Sequence, residues 1–238
     1  MQPRILDYLA SELERGGLVG EERAAKLVYL VLTSRLLKKP ICSSIKGPSS
    51  AGKNCVAGSV LRLFPATAYY RMTSMSPRLL AYSEEPLVHR ILVLEEAAGL
   101  GDGIGAYLMR SLISEGRLRH ETVTNTADGF KPLVLEREGP TGLLVTTTSV
   151  MLEPELETRM FSIPVTDAPA HTHAVLAAIA AGAAGQAQAS VVDPAPWHAL
   201  QLWIEGGPRR LCRLPACWPP PFLPSRCACG ATLWHCWD

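Results

Sequence analysis

The stretch GPSSAGKN, residues 47–54, constrains this chain more than any other. It meets the pattern G-x-x-x-x-G-K-[ST] through Lys53 and departs at the last position, where Asn54 replaces a hydroxyl residue. Such a loop needs a buried strand running in, a helix leaving, and backbone N–H groups curled around an anion between them. The flanks agree. Residues 41–45, ICSSI, read as a short buried strand after Pro40, and residues 54–64 carry a helical pattern that ends at Pro65.

Each residue of the loop has a reading. Gly47, Pro48, Ser49, Ser50, Ala51 and Gly52 form the curl, with the glycines allowing close approach to phosphate oxygens. The helix beyond points its positive end at the same place. Lys53 neutralises the β and γ phosphates of ATP. Asn54 offers Mg²⁺ an amide oxygen instead of a hydroxyl, on a side chain one atom longer. That change is expected to weaken metal placement and slow hydrolysis before it abolishes ATP binding. The plain alternative is a Gly/Ser-rich surface loop ahead of a helix.

Downstream, HRILVLEE (89–96) reads as an apolar strand ending in Glu95 and Glu96. In phosphate-loop ATPases the first acid supports Mg²⁺ and the second polarises the attacking water. Here Glu95 stands where Asp is usual, and two exposed acids at a strand end are the alternative. GLLVTTT (142–148) is a buried strand with a polar end, where Thr148 or Thr147 can sense a γ phosphate. Arg159 precedes a further strand and suits a finger into a neighbouring subunit's nucleotide, or an ion pair with Glu155 or Glu157. Between these segments lie a helix at 106–116, with Tyr107, Leu108, Leu112 and Ile113 on one face, and two strands joined across Asp128-Gly129. On that hairpin Arg119 and Lys131, the latter beside Phe130 near the tip, are the candidates for contact with DNA. Glu121, Glu136 and Glu138 offset the cations, so a solvated ribbon is the alternative.

The bulk composition narrows the classes. The chain is 47% hydrophobic and 19% charged, as a globular core requires, and its net charge of +1 gives no large field for nucleic acid or membrane. The apolar stretch 27–37 is too short to span a bilayer and is broken by Thr33, Ser34 and Arg35. The N-terminal residues are amphipathic and carry acids, unlike a signal peptide. A cytoplasmic protein with no membrane partner is expected. Strands alternating with helices imply an α/β fold with a mainly parallel sheet, its ligand at the carboxyl ends of the strands.

The order of parts carries a resemblance. It runs from a helical preface through GPSSAGKN, ILVLEEAAG and a helix with hairpin to GLLVTTT and ETRMFSIPV. This resembles the AAA+ ATPase core, a P-loop NTPase fold, within the branch of minichromosome-maintenance-like ring helicases that place a pre-sensor β-hairpin before the polar-ended strand. It is similar also to helicase-type modules found with primase modules in bacterial and mobile-element replication proteins. The resemblance implies ATP and Mg²⁺ as cofactors, a hexameric homo-oligomeric ring, DNA as partner, and a primase module or partner. It divides the chain into a helical preface (1–40), an ATPase core (41–170), an Ala-rich helix and linker opening a C-terminal module (171–210), and a tail (211–238).

The tail differs in kind. It gathers Cys212, Cys217, Cys227, Cys229 and Cys236 with prolines and tryptophans and shows no helical or strand period. Its C-x-C spacing is not that of a zinc knuckle. Read from the third base of each codon, residues 234–238 are forced to encode Ala-Leu-Leu-Gly, a helix-forming run. A frameshifted or truncated gene is the expectation, with a disordered tail.

Three functions follow as expectations: an ATP-hydrolysing module of a DNA helicase or primase-associated protein, a nucleotide-dependent switch or assembly platform without unwinding, and a non-functional frameshifted remnant.

Overall fold

The computed structural model describes residues 4–73, 82–95, 104–126, 129–148, 154–184 and 192–206. Among them, in chain order, run α1 (Ile5–Arg15), α2 (Glu22–Thr33), a 3-10 turn (Ser34–Leu36), β1 (Cys42–Lys46), α3 (Lys53–Leu61), β2 (Tyr69–Met72) and β3 (Arg90–Leu94). There follow α4 (Ile104–Glu115), β4 (Arg117–Thr126), β5 (Gly129–Glu138), β6 (Thr141–Thr147), α5 (Pro154–Glu157), β7 (Met160–Pro164), α6 (Pro169–Ala183) and α7 (Ala195–Gly206). The fold is α/β. Five parallel strands lie in the order β2-β3-β6-β1-β7, flanked by helices, and β4-β5 form a separate antiparallel hairpin.

Strand alternation divides the core into two layers. Ile45, Ile91, Val93, Leu144 and Ile163 point to one face, where they meet Val56, Ala57, Val60 and Leu61 of α3. Leu92, Leu94, Leu143 and Val145 point to the other, against Leu108, Met109 and Leu112 of α4 and Leu156 of α5. The helix after β1 thus covers one face and the helices after β3 and β6 cover the other. Right-handed crossovers demand this, because the chain leaves β1 toward β2 and returns from β3 through β6 to β7 in the opposite direction.

Helices from both ends of the chain join the first layer. Leu9 and Leu13 of α1, Val28 and Leu32 of α2, and Trp197 and Leu200 of α7 belong to one buried cluster with α3. Tyr29 sits at its centre, 5.1 Å from Phe64 and 5.5 Å from Trp197 between ring centroids. Polar links sit among the apolar ones. Gln201 donates to the Tyr29 hydroxyl at 3.1 Å, and the buried Arg35 donates to the His89 carbonyl and pairs with Glu205, both at 3.2 Å. α6 stands apart. It has no buried residue, and Leu176 and Ile179 on it are exposed.

Several sequence expectations change in detail. Tyr69–Met72 is a strand inside what reads as a connector. Tyr107 is 59% exposed, and Met109 takes the core position beside Leu108 and Leu112. α3 ends at Leu61, ahead of the expected boundary. Asp128 of the hairpin turn, the end of the Ala-rich run and the whole tail, with its cysteines, lie outside the described residues. No helix among the described residues is long and apolar enough to cross a membrane.

Candidate functional site

β1 delivers the chain into the glycine loop at Gly47, and α3 begins at Lys53. Two left-handed residues shape the loop: Ser50 at φ 64° and Gly52 at φ 80°. Non-glycine residues pay roughly 1–3 kcal/mol for that conformation, so Ser50 marks a backbone held against its preference. Alternation of right- and left-handed residues turns successive N–H groups toward one concavity, the geometry that receives anions. The Ala51 N–H donates to the Pro48 carbonyl at 3.3 Å and closes a turn inside it.

Lys53 folds back over this curl. Its side chain is buried, and Nζ donates to the carbonyl oxygens of Gly47 at 2.9 Å and Pro48 at 2.5 Å. Two of the three ammonium N–H groups are thereby used, and the third remains for a ligand oxygen. The cation also lies at the positive end of α3, so loop, charge and helix terminus favour the same negatively charged group.

The cleft over the loop measures about 580 Å³ and is lined by residues 49–55 and 146–148. β6 supplies the second wall because it pairs with β1 in parallel, Ile45 opposite Thr146 and Lys46 opposite Thr147. Thr146 and Thr147 are buried and Thr148 is exposed at the strand end. All three threonines therefore belong to the cleft, where sequence reasoning singled out Thr147 and Thr148. Cys55, an exposed free thiol, was not anticipated as a lining residue. Its place in the first turn of α3 was the signal. Asn54, exposed, stands at the mouth. No carboxylate lines the cleft among the described residues.

Glu95 is not among the lining residues, though it follows β3 one step past the Leu94–Val145 pair, level with Thr146 of the cleft wall. Its Oε1 accepts from Arg71 Nε at 2.6 Å and also contacts the Arg71 terminal nitrogen, while its backbone N–H donates to the Met72 carbonyl at 3.0 Å. Register explains the ion pair. Arg71 on β2 is opposite Val93, and Glu95 is two residues past Val93, so both side chains leave the same face of adjacent strands. Glu96 lies outside the described residues.

Arg159 is 38% exposed and pairs with Glu155 at 3.1 Å, one of the two acids expected as its ion-pair partners. It also contacts the Ser114 hydroxyl, and Arg110 shares Glu155. Glu157 instead holds Lys46 at the end of β1. On the hairpin, Arg119 is exposed and paired with Glu121 at 2.9 Å and Glu136 at 3.6 Å. Lys131 is exposed, opposite Thr124, and Phe130 beside it is 79% exposed. The structure therefore gathers the loop residues and the three threonines in one cleft, and sets Glu95, Arg159 and the hairpin cations in separate polar arrangements. Neither a protein-family model nor a curated protein matches the chain.

Proposed function

We propose that the chain is the ATP-binding module of a DNA-processing assembly of the AAA+ type that its order of parts resembles, helicase or primase-associated. One observation carries the reading: Lys53, buried at the head of α3, is bonded to the Gly47 and Pro48 carbonyls beneath an open cleft. A buried ammonium held at a helix N-terminus inside a curled loop is an arrangement for polyphosphate. The polar-ended strand β6, lying between β1 and β3, supports it, since its threonines can meet the terminal phosphate. In a ring, Arg159 would leave Glu155 to reach a neighbour's nucleotide, and Lys131 beside Phe130 would offer charge and a stacking surface to a strand of DNA.

Magnesium, the cation such a loop implies, does not fit the described donor set. Asn54 supplies a neutral amide, Glu95 is engaged by Arg71, and the lining residues hold no carboxylate. This favours a second reading, a nucleotide-dependent switch or assembly platform that binds ATP without unwinding DNA.

ATP turnover with and without single-stranded DNA separates the two. Turnover stimulated by DNA supports the motor. Nucleotide binding with no stimulated turnover supports the platform. Absence of nucleotide binding rejects both.

A further inference from the structure

A triphosphate loop ordinarily receives its nucleotide as a magnesium complex, in which the cation cancels part of the phosphate charge. Magnesium demands near-octahedral oxygen ligands at about 2.0–2.1 Å, and proteins hold it with one or two carboxylates plus the phosphates. Among the described residues no carboxylate is free to hold it at this cleft. The acid at the end of β3 is spent on Arg71, whose Nε approaches Oε1 at 2.6 Å, and only 15% of the Glu95 side chain is exposed. The pair is fixed by the parallel β2–β3 register and by the Glu95 N–H bond to Met72, so the carboxylate is directed toward the β2 edge of the sheet. The cleft lies on the other side, between the glycine loop and β6.

The charge inside the cleft points the same way. Among the described residues its lining includes one cation, Lys53, and no acid, and α3 adds a positive helix end. A site of that sign attracts the more negative form of a ligand. Metal-free ATP carries two more negative charges than its magnesium complex, and in a partly buried site Coulomb attraction grows with ligand charge. Asn54 neither adds charge nor supplies the hydroxyl that would anchor the cation.

We infer that this cleft takes its nucleotide as the metal-free polyphosphate anion, and that the Arg71–Glu95 pair together with Asn54 sets this preference. The inference rests on the nucleotide-binding reading above. It makes the chain a sensor of free nucleotide, answering to the ratio of ATP to magnesium instead of to total ATP.

The test uses the full chain and a fluorescent ATP analogue, titrated once in EDTA and once in excess magnesium. The expected result is an affinity at least about tenfold tighter in EDTA than in excess magnesium, as the one-signed charge of the cleft requires. An affinity in EDTA equal to or weaker than that in magnesium overturns the inference and leaves the nucleotide site standing, because a site indifferent to the cation or built around it has no preference for the free anion. No binding in either solution rejects the nucleotide site and the inference with it. The double variant Asn54→Ser, Arg71→Ala restores a hydroxyl and releases Glu95. It should bind about tenfold more tightly with magnesium than in EDTA once those donors are free. If it keeps the wild-type preference for EDTA while circular dichroism shows the native fold, the assignment to Arg71 and Asn54 is wrong.

Discussion

Lys53 and Gly47 close the glycine loop on itself, Nζ donating to the carbonyl oxygen at 2.9 Å. The bond holds the loop curled before any ligand arrives, so little ordering remains to be done on binding. Its cost sits in the backbone at Ser50 and Gly52.

Two glycines one helix apart should therefore respond with opposite sign to the same substitution. Gly52 has φ 80°, and nothing lies within 4 Å of an added Cβ, so Gly52→Ala meets backbone strain alone. It should cost about 1–2 kcal/mol of stability. Gly58 lies inside α3, also with open space around it. Gly58→Ala should add about 0.5–1 kcal/mol. Urea unfolding of both variants checks the pair. A stabilising Gly52→Ala would mean that the loop is not left-handed there.

The joint between α7 and the 3-10 turn after α2 should show an asymmetry. The Arg35 side chain is 2% exposed and Glu205 is 41% exposed. Glu205→Ala strands a buried guanidinium with the His89 carbonyl as its remaining acceptor, and should cost about 2–3 kcal/mol, the low end of such losses because the acid is partly hydrated. Arg35→Met removes the buried charge and leaves an acid that water can reach, so it should cost less than half as much. Equal losses in denaturant titrations would contradict this assignment.

Most of the sheet could be read from local pattern, and the polar geometry could not. β3 and β6 announce themselves because central parallel strands are apolar on both faces, as in ILVL and GLLV, whereas β1, CSSIK, is marked by Pro40 before it and the glycine loop after it. β2 escaped because it is four residues long at the sheet edge, and only Met72 of the four is buried. Tyr107 fits the helical stripe of α4 by spacing, but the stripe is rotated toward Met109, a shift of one position that periodicity cannot resolve. The Arg71–Glu95 pair depends on the register of two strands across an intervening connector, and nothing local encodes it. Thr146 enters the cleft through the same kind of long-range pairing, β1 with β6.

Alkaline pH should weaken the fold in two stages. Burial pushes the Cys42 thiol from its ordinary 9.0 up to about 11, and the Tyr29 hydroxyl from 10.0 up to about 12. Both groups are held neutral in the folded chain and ionise sooner when it unfolds. The unfolded state then binds fewer protons, so stability falls as pH rises. The contribution is complete below pH 9. It declines through about 11 for Cys42, and between 10 and about 12 for Tyr29. Each has a ceiling of roughly 2–3 kcal/mol, from about 1.4 kcal/mol per pH unit. Tyr29→Phe should remove the second stage only, as seen in unfolding curves collected across that range. A profile unchanged by the substitution would show that Tyr29 does not carry it.

On the proposed function, a bound triphosphate would depend on the Lys53 ammonium, seated at the head of α3 beneath the cleft. Isothermal titration of ATP into the wild-type chain and into Lys53→Ala, both verified as folded by circular dichroism, measures that dependence directly. Wild type should bind one nucleotide per chain, and the variant should lose about 2 kcal/mol or more, a drop of at least about thirtyfold, as expected when a charged partner is removed from a buried pair. Equal affinities in the two proteins, or no binding by the wild type, would contradict the assignment of this cleft to nucleotide.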